Sequence, residues 1–352
     1  MRVICYILDM PRTNRKAAIK RLKTLVFTPK SEVTSYRAMI EKTFCTPFLP
    51  NKVERTKRNF GGIPCDLLAP EIYSSKRIMF YIHGGCFAGG SCASYRSFCA
   101  VLANKAFSRI VIPEYRLAPE HPFPAAIEDV QTAFRSLFTE EQIARSLDTS
   151  PKQDTQTAPD AEKNEPQPEI IIAADGAGAS IAMALILNLR ERYRKCIKKV
   201  VFFSPWFNLS SSSPVLSGKK VSDEILSSDI LQKCAFLYTY ETNMTNPLVS
   251  PVYAAKDVLE QFPPVYIQIG SKEILLEDAK AMAKRLEEAG NSCTIDVQED
   301  MPHLFQMADD YIEQVHDALQ KCADVISGTE QFFERQTFEN KPRLENSLSA
   351  EA

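Results

Sequence analysis

The stretch Glu169-Ile-Ile-Ile-Ala-Ala-Asp175-Gly176-Ala-Gly178-Ala-Ser180 joins an apolar run to small residues. Glu169 to Ala174 is too short and too uniformly apolar for a surface helix and predicts a strand buried on both faces. The glycines at 176 and 178 mark a tight turn, and the apolar, alanine-rich sequence beyond predicts a helix from about Gly178 to Tyr193. A buried strand that turns at once into a helix is half of a βαβ unit.

The same rhythm extends in both directions. Upstream, RIMFYIHGG and RIVIPEYRLAP predict strands, with an amphipathic helix around Tyr95 to Lys105 between them and another over Pro124 to Leu137. Downstream, KKVVFFSP, PPVYIQIG and SCTIDVQE predict strands. The helix LLEDAKAMAKRLEEAG separates the last two, and a terminal helix from about Ala308 to Ile326 follows. Alternation of this kind predicts a mostly parallel sheet with helices on both faces. Before it, VERTKRNF, the turn GGIP and CDLLAP predict a hairpin beginning at Val53.

Composition narrows the class. The 352 residues are 45% hydrophobic and 24% charged with a formal net charge of -2, so nothing favours nucleic acid as a partner. Residues 1–60 carry 14 Lys or Arg against 4 Asp or Glu, a basic segment on an acidic body. Ten cysteines form no CxxC pair and read as reduced thiols, with no metal site and no cofactor implied. The apolar start of MRVICYILDMPRTNRK is broken by Asp9 and Pro11, too early for a signal-peptide core or a membrane span, so the cytoplasm is the expected compartment.

In Tyr81-Ile-His-Gly-Gly-Cys-Phe-Ala-Gly-Gly-Ser91 a glycine pair lies just beyond a strand end. Missing side chains there let backbone N–H groups approach a bound oxygen, as in an oxyanion hole. The loop resembles the HGGG-type loop of hormone-sensitive-lipase esterases, with Cys86 at the third glycine. Tyr115-Arg-Leu-Ala-Pro-Glu-His-Pro-Phe-Pro-Ala-Ala-Ile-Glu-Asp129 is similar to that group's YRLAPEHPFPAA segment almost throughout. Glu120 and His121 within it read as structural.

The resemblance implies an α/β-hydrolase fold over residues 53–327, with helices on both faces of a mostly parallel sheet and a helical cap. The cap comes from 1–52 and from 207–252. The stretch 139–168 reads as a polar, disordered insert and 328–352 as a disordered tail.

Against the group's GDSAGG elbow, Gly176 stands where the nucleophilic serine belongs. Ser180 lies one turn into the helix, where its hydroxyl is expected to bond a helix carbonyl. Gly270-Ser-Lys-Glu273-Ile-Leu-Leu-Glu-Asp278 resembles the acid loop and Asp300-Met-Pro-His303-Leu-Phe305 the histidine loop. The resemblance therefore implies Glu273, with Asp278 as the alternative, and His303 as the remaining catalytic pair. It implies Gly84, Gly85 and Ala177 as oxyanion donors. The expected function is a catalytically impaired esterase-type protein that still receives a small ester or carboxylate. Two alternatives stay open, an active esterase by a non-standard route and a protein-interaction scaffold. Phe87, Trp206, Phe207 and Phe236 are candidates for an acyl pocket, and the sequence leaves the oligomeric state unknown.

Overall fold

The computed structural model describes residues 14–328 except 29, 47–48, 50–51, 149–166, 211 and 214–222. Eight strands form one sheet: β1 (Val53–Phe60), β2 (Ile63–Pro70), β3 (Arg77–Ile82), β4 (Arg109–Pro113), β5 (Glu169–Asp175), β6 (Ile197–Phe203), β7 (Val265–Gly270) and β8 (Cys293–Gln298). Their spatial order is β1-β2-β4-β3-β5-β6-β7-β8. β1 pairs antiparallel with β2, and β2 with β4; every pairing from β4 across to β8 is parallel. The hairpin and the parallel sheet thus stand where the sequence pattern puts them.

Ten helices accompany the sheet in the described residues: α1 (Arg15–Leu22), α2 (Val33–Phe44), α3 (Cys92–Lys105), α4 (Ala125–Asp148), α5 (Gly176–Asn188), α6 (Glu191–Arg194), α7 (Ser228–Tyr238), α8 (Lys256–Leu259), α9 (Leu276–Glu288) and α10 (Glu313–Ser327). α3 packs with α10 and α4 with α5. Strands β3, β5, β6 and β7 are buried almost end to end, as a sheet covered on both faces requires. The edge strand β1 buries only its two terminal residues, which is why VERTKRNF carries so many charges.

Three boundaries differ from expectation. The helix expected to close near Leu137 runs on to Asp148, into the first ten residues of the expected insert. No apolar stripe announces that extension, since Ile143 and Leu147 face solvent. Ion pairs hold it instead: Arg109 grips Glu141 through two bonds of 2.9 Å, and Arg58 pairs with Glu140. The remaining insert, at 149–166, and the tail at 329–352 lie outside the described residues.

The second difference is that α5 begins at Gly176 itself and stops at Asn188, with α6 separate, because Leu189 is extended. α10, expected from Ala308, begins at Glu313 after a single 3₁₀ turn.

Helix α5 meets β3 with almost no gap. A Cβ on Gly178 would overlap the carbonyl oxygens of Ile82 and His83, which belong to backbone that cannot yield. Gly178→Ala should therefore lower stability by about 1–3 kcal/mol or more. The test is the urea midpoint, with loss of soluble protein as the extreme outcome; an unchanged midpoint would show that strand and helix separate freely.

Candidate active site

In β3-α3-β4 the chain moves toward one edge of the sheet, and in the crossover to β5 it returns past β3. The carboxyl ends of β3 and β5, paired through Ile82 and Ala174, therefore flank a switch point of the topology. Crevices at such points are where open α/β sheets bind ligands. The glycine loop after β3, the β5-α5 turn, the loop after β7 and the loop after β8 meet there.

Asp175 closes β5 and holds the first two of these together. Its carboxylate is buried and accepts hydrogen bonds from the Tyr81 hydroxyl, the Tyr95 hydroxyl and the Gly84 amide, each at 2.9 Å. Burial pushes the Asp175 carboxyl up to about 6, against the opposing pull of these three donors. Gly84 admits no side chain, because a Cβ would overlap the Asp175 carboxylate.

This corrects the assignment of Gly84 as an oxyanion donor: its N–H points to Asp175, not to the cleft. Gly85 and Ala177 do line the cleft, joined by Cys86. Among the described residues the Gly85, Cys86 and Ala177 amides donate to no other group.

Gly176 takes φ +47°, the left-handed conformation that glycine tolerates best. A Cβ built on it has one described atom within 4 Å beyond its chain neighbours and its own helix, His303 Nε2 at 3.9 Å. A hydroxyl one bond further out falls within hydrogen-bond reach of that nitrogen. Ser180 is elsewhere. Its buried hydroxyl donates to the Trp206 carbonyl, not to a carbonyl of its own helix, and it does not line the cleft.

His303 is buried and its Nδ1 lies 2.9 Å from Glu273 Oε2. The other oxygen, Oε1, accepts from Gly270 N at 2.6 Å and Ser204 Oγ at 2.7 Å. Ser204 Oγ also receives the Leu304 amide at 3.1 Å, so one hydroxyl ties the acid loop to the histidine loop. Burial disfavours the imidazolium, but the hydrogen bond and charge of Glu273, with Asp223 adding, raise the His303 pKa above its ordinary value. Burial likewise raises Glu273, opposed by His303, Gly270 and Ser204. Asp278 does not take part: it lies on α9 and accepts from Ser213 Oγ.

Leu25 and Val26 from the N-terminal segment and Leu226 and Leu231 from the stretch between β6 and β7 cover this arrangement. They narrow it to a cleft of about 20 Å³, room for about one water-sized group with these leucines and Val26 in place. Trp206 lines the cleft, whereas Phe87 stacks on Tyr238 at 3.8 Å, Phe207 packs on Phe202, and Phe236 faces solvent. Glu120 is structural as expected, paired with Arg37 of α2. Ser204, Asp223 and Cys86 were not among the sequence candidates. The turn FFSP after a buried strand was the only signal for Ser204.

A parallel sheet with an acid–histidine pair and a glycine loop at its switch point defines an α/β hydrolase. A family model described as alpha/beta hydrolase fold matches residues 79–307, so the chain belongs to that family, and within it to the hormone-sensitive-lipase type of esterase. An esterase of Acinetobacter venetianus is 30% identical over 252 residues, 71% of this chain and 75% of that protein. An acetyl-hydrolase of Streptomyces hygroscopicus is 30% identical over 229 residues, 65% of this chain and 68% of that one. A solved hormone-sensitive lipase from a metagenome library aligns with TM-score 0.73 at 28% identity, covering 90% of this chain and 99% of the other. Among the described residues no helix is long and apolar enough to cross a membrane.

Asp175 supplies a signed pH test. Its folded pKa of about 6 lies above the unfolded value of about 3.9. Its contribution is therefore fully present below the unfolded value and lost as pH rises through the folded one. Asp175→Asn cannot ionise, so between pH 4 and pH 7 the parent should lose stability relative to this variant by on the order of 2–3 kcal/mol. Urea midpoints of both proteins across that range measure it. A constant difference would mean that Asp175 stays ionised throughout.

Proposed function

We propose that this chain is a catalytically impaired relative of carboxylic-ester hydrolases that holds a small ester or carboxylate in the cleft. We place it in the cytoplasm, where its unpatterned cysteines stay reduced. The observation that carries the reading is the empty position beside His303 Nε2: base, orienting carboxylate and free amides are present, and Gly176 offers no attacking atom.

In an esterase a hydroxyl attacks the acyl carbon, an imidazole takes its proton, a carboxylate orients the imidazole and amides receive the oxyanion. Here the proposed roles of orientation and proton acceptance fall to Glu273 and His303, and those of oxyanion donors to Gly85, Cys86 and Ala177. Loss of the nucleophile from such a unit costs on the order of 10⁶ in kcat. The same donors suit the oxygen of a bound carbonyl or carboxylate, so binding survives where turnover does not.

Gly176→Ser should restore hydrolysis of p-nitrophenyl butyrate, by about 10³-fold or more over the parent. His303→Ala should abolish that gain and change the parent's rate little. The restored rate needs neutral imidazole, so its pH profile should rise with a midpoint above the ordinary histidine value of about 6.5. The serine would adopt a left-handed φ, so a loss of about 1–2 kcal/mol in stability should accompany the gain. A folded Gly176→Ser protein at the parent rate would sink the reading. Parent turnover that His303→Ala removes would instead favour an active enzyme using water.

A further inference from the structure

The cleft is smaller than what it is proposed to hold. A carboxylate group alone has three heavy atoms, whereas the space lined by Gly176, His303 and the leucines is about 20 Å³, near the size of one water. A ligand that reaches the free amides must therefore displace part of the roof. The two halves of that roof are held very differently.

Leu25 and Val26 belong to a packed strap. The Leu25 carbonyl accepts from the Tyr36 hydroxyl of α2 at 2.7 Å, Phe27 packs edge-on against the Tyr36 ring at 5.1 Å, and Arg37 binds α2 to the Ala88 and Ala118 carbonyls. Leu226 sits instead in the irregular stretch 223–227 that leads into α7. Among the described residues no backbone–backbone hydrogen bond joins residues 223–226 to the rest of the chain. Two carboxylates hold the stretch in their place. Glu224 pairs with Arg15 at 2.6 Å, but both side chains reach solvent, and such a pair contributes little. Asp223 is half-buried and accepts three bonds, all from backbone: Oδ1 receives the Ile225 amide at 2.8 Å and the Leu226 amide at 3.0 Å, and Oδ2 receives the Ile274 amide at 2.9 Å. The first two fold the stretch on itself. The third pins it to the acid loop, one residue beyond Glu273.

We propose that Asp223 is a specificity-determining residue that sets which carboxylates the cleft admits, by latching Leu226 in the cleft through its bond to Ile274. The inference rests on the reading of the cleft as a carboxylate site. While the Asp223–Ile274 bond is intact, Leu226 occupies space that a ligand chain would take. Each ligand then binds with its intrinsic affinity multiplied by the fraction of molecules in which Leu226 has moved aside. A longer chain beyond the carboxylate needs a larger displacement, so the latch discriminates against length. Asp223 makes no contact with the ligand in this scheme and acts through Leu226.

The test titrates formate and butyrate separately into the full-length parent, Asp223→Ala, Leu226→Ala and the double variant at one pH, following the His303 ring and the backbone amides by NMR. The quantity to read is the ratio of butyrate affinity to formate affinity. Both ligands carry one carboxylate, so any change of charge beside His303 cancels in it. Asp223→Ala should raise the ratio at least about tenfold over the parent. Leu226→Ala vacates the same space with the latch intact and should raise it as well. Because Asp223 acts through Leu226, the double variant should exceed Leu226→Ala by less than about twofold. An unchanged ratio in Asp223→Ala, or a full gain from Asp223→Ala that persists on top of Leu226→Ala, would overturn the inference and leave the carboxylate site standing. If Asp223→Ala fails to fold, a Leu226→Ala ratio equal to the parent's overturns it equally. Binding of neither ligand to any of the proteins would instead overturn the reading of the cleft itself, and the inference with it.

Discussion

The site depends on a buried carboxylate. Asp175 closes the central strand, and instead of capping the helix that follows it turns inward to two tyrosines and the amide of Gly84. A carboxylate removed from water must be fully hydrogen-bonded to be tolerated, and three donors meet that demand. They come from β3, α3 and the glycine loop, so satisfying one group fixes three elements against β5. The loop is thereby set at a fixed distance from the Gly176 turn. Every amide that faces the cleft inherits its position from this arrangement.

A second anchor sits across the cleft. Glu273 receives Gly270 N, Ser204 Oγ and His303 Nδ1, and Ser204 reaches on to Leu304. Gly270 is glycine because a Cβ would overlap the Met301 carbonyl, which lets the β7 and β8 loops close on each other. Two hydrogen-bonded carboxylates therefore hold opposite walls of the cleft, each on the end of a parallel strand. Helix α2 reaches the walls through Arg37, whose guanidinium donates to the Ala88 and Ala118 carbonyls as well as to Glu120.

The strands were legible because a sheet covered on both faces demands continuous apolar runs, and RIMFYI, EIIIAA and VYIQIG supply them. The acid and histidine loops were legible through their likeness to a family and through strand-ending glycines. What escaped was set by contacts between distant residues. Nothing local distinguishes the end of α4 from a solvated insert, since the partners Arg58 and Arg109 lie on strands far away in sequence. The Gly84 amide looked free because a glycine pair says nothing about which N–H another carboxylate will claim. Cys86 read as a departure from a glycine pattern, and only the tertiary structure places it on the cleft beside Gly176 and His303.

Helix α1 is tied to residues far along the chain. The Asn14 amide donates to the Tyr311 carbonyl at 3.0 Å, and Arg15 reaches the Asp300 carbonyl and the Glu224 carboxylate. During synthesis α1 is made well before its docking partners Asp300 and Tyr311. Contacts so distant in sequence close late in folding. The helix must wait in water while the sheet assembles, and the sequence RKAAIKRL, with four cations around its four apolar residues, keeps it soluble for that interval. The roof of the cleft is thus completed only after the loop that follows β8 has been made, and a nascent chain lacking that loop has walls with no fixed cover.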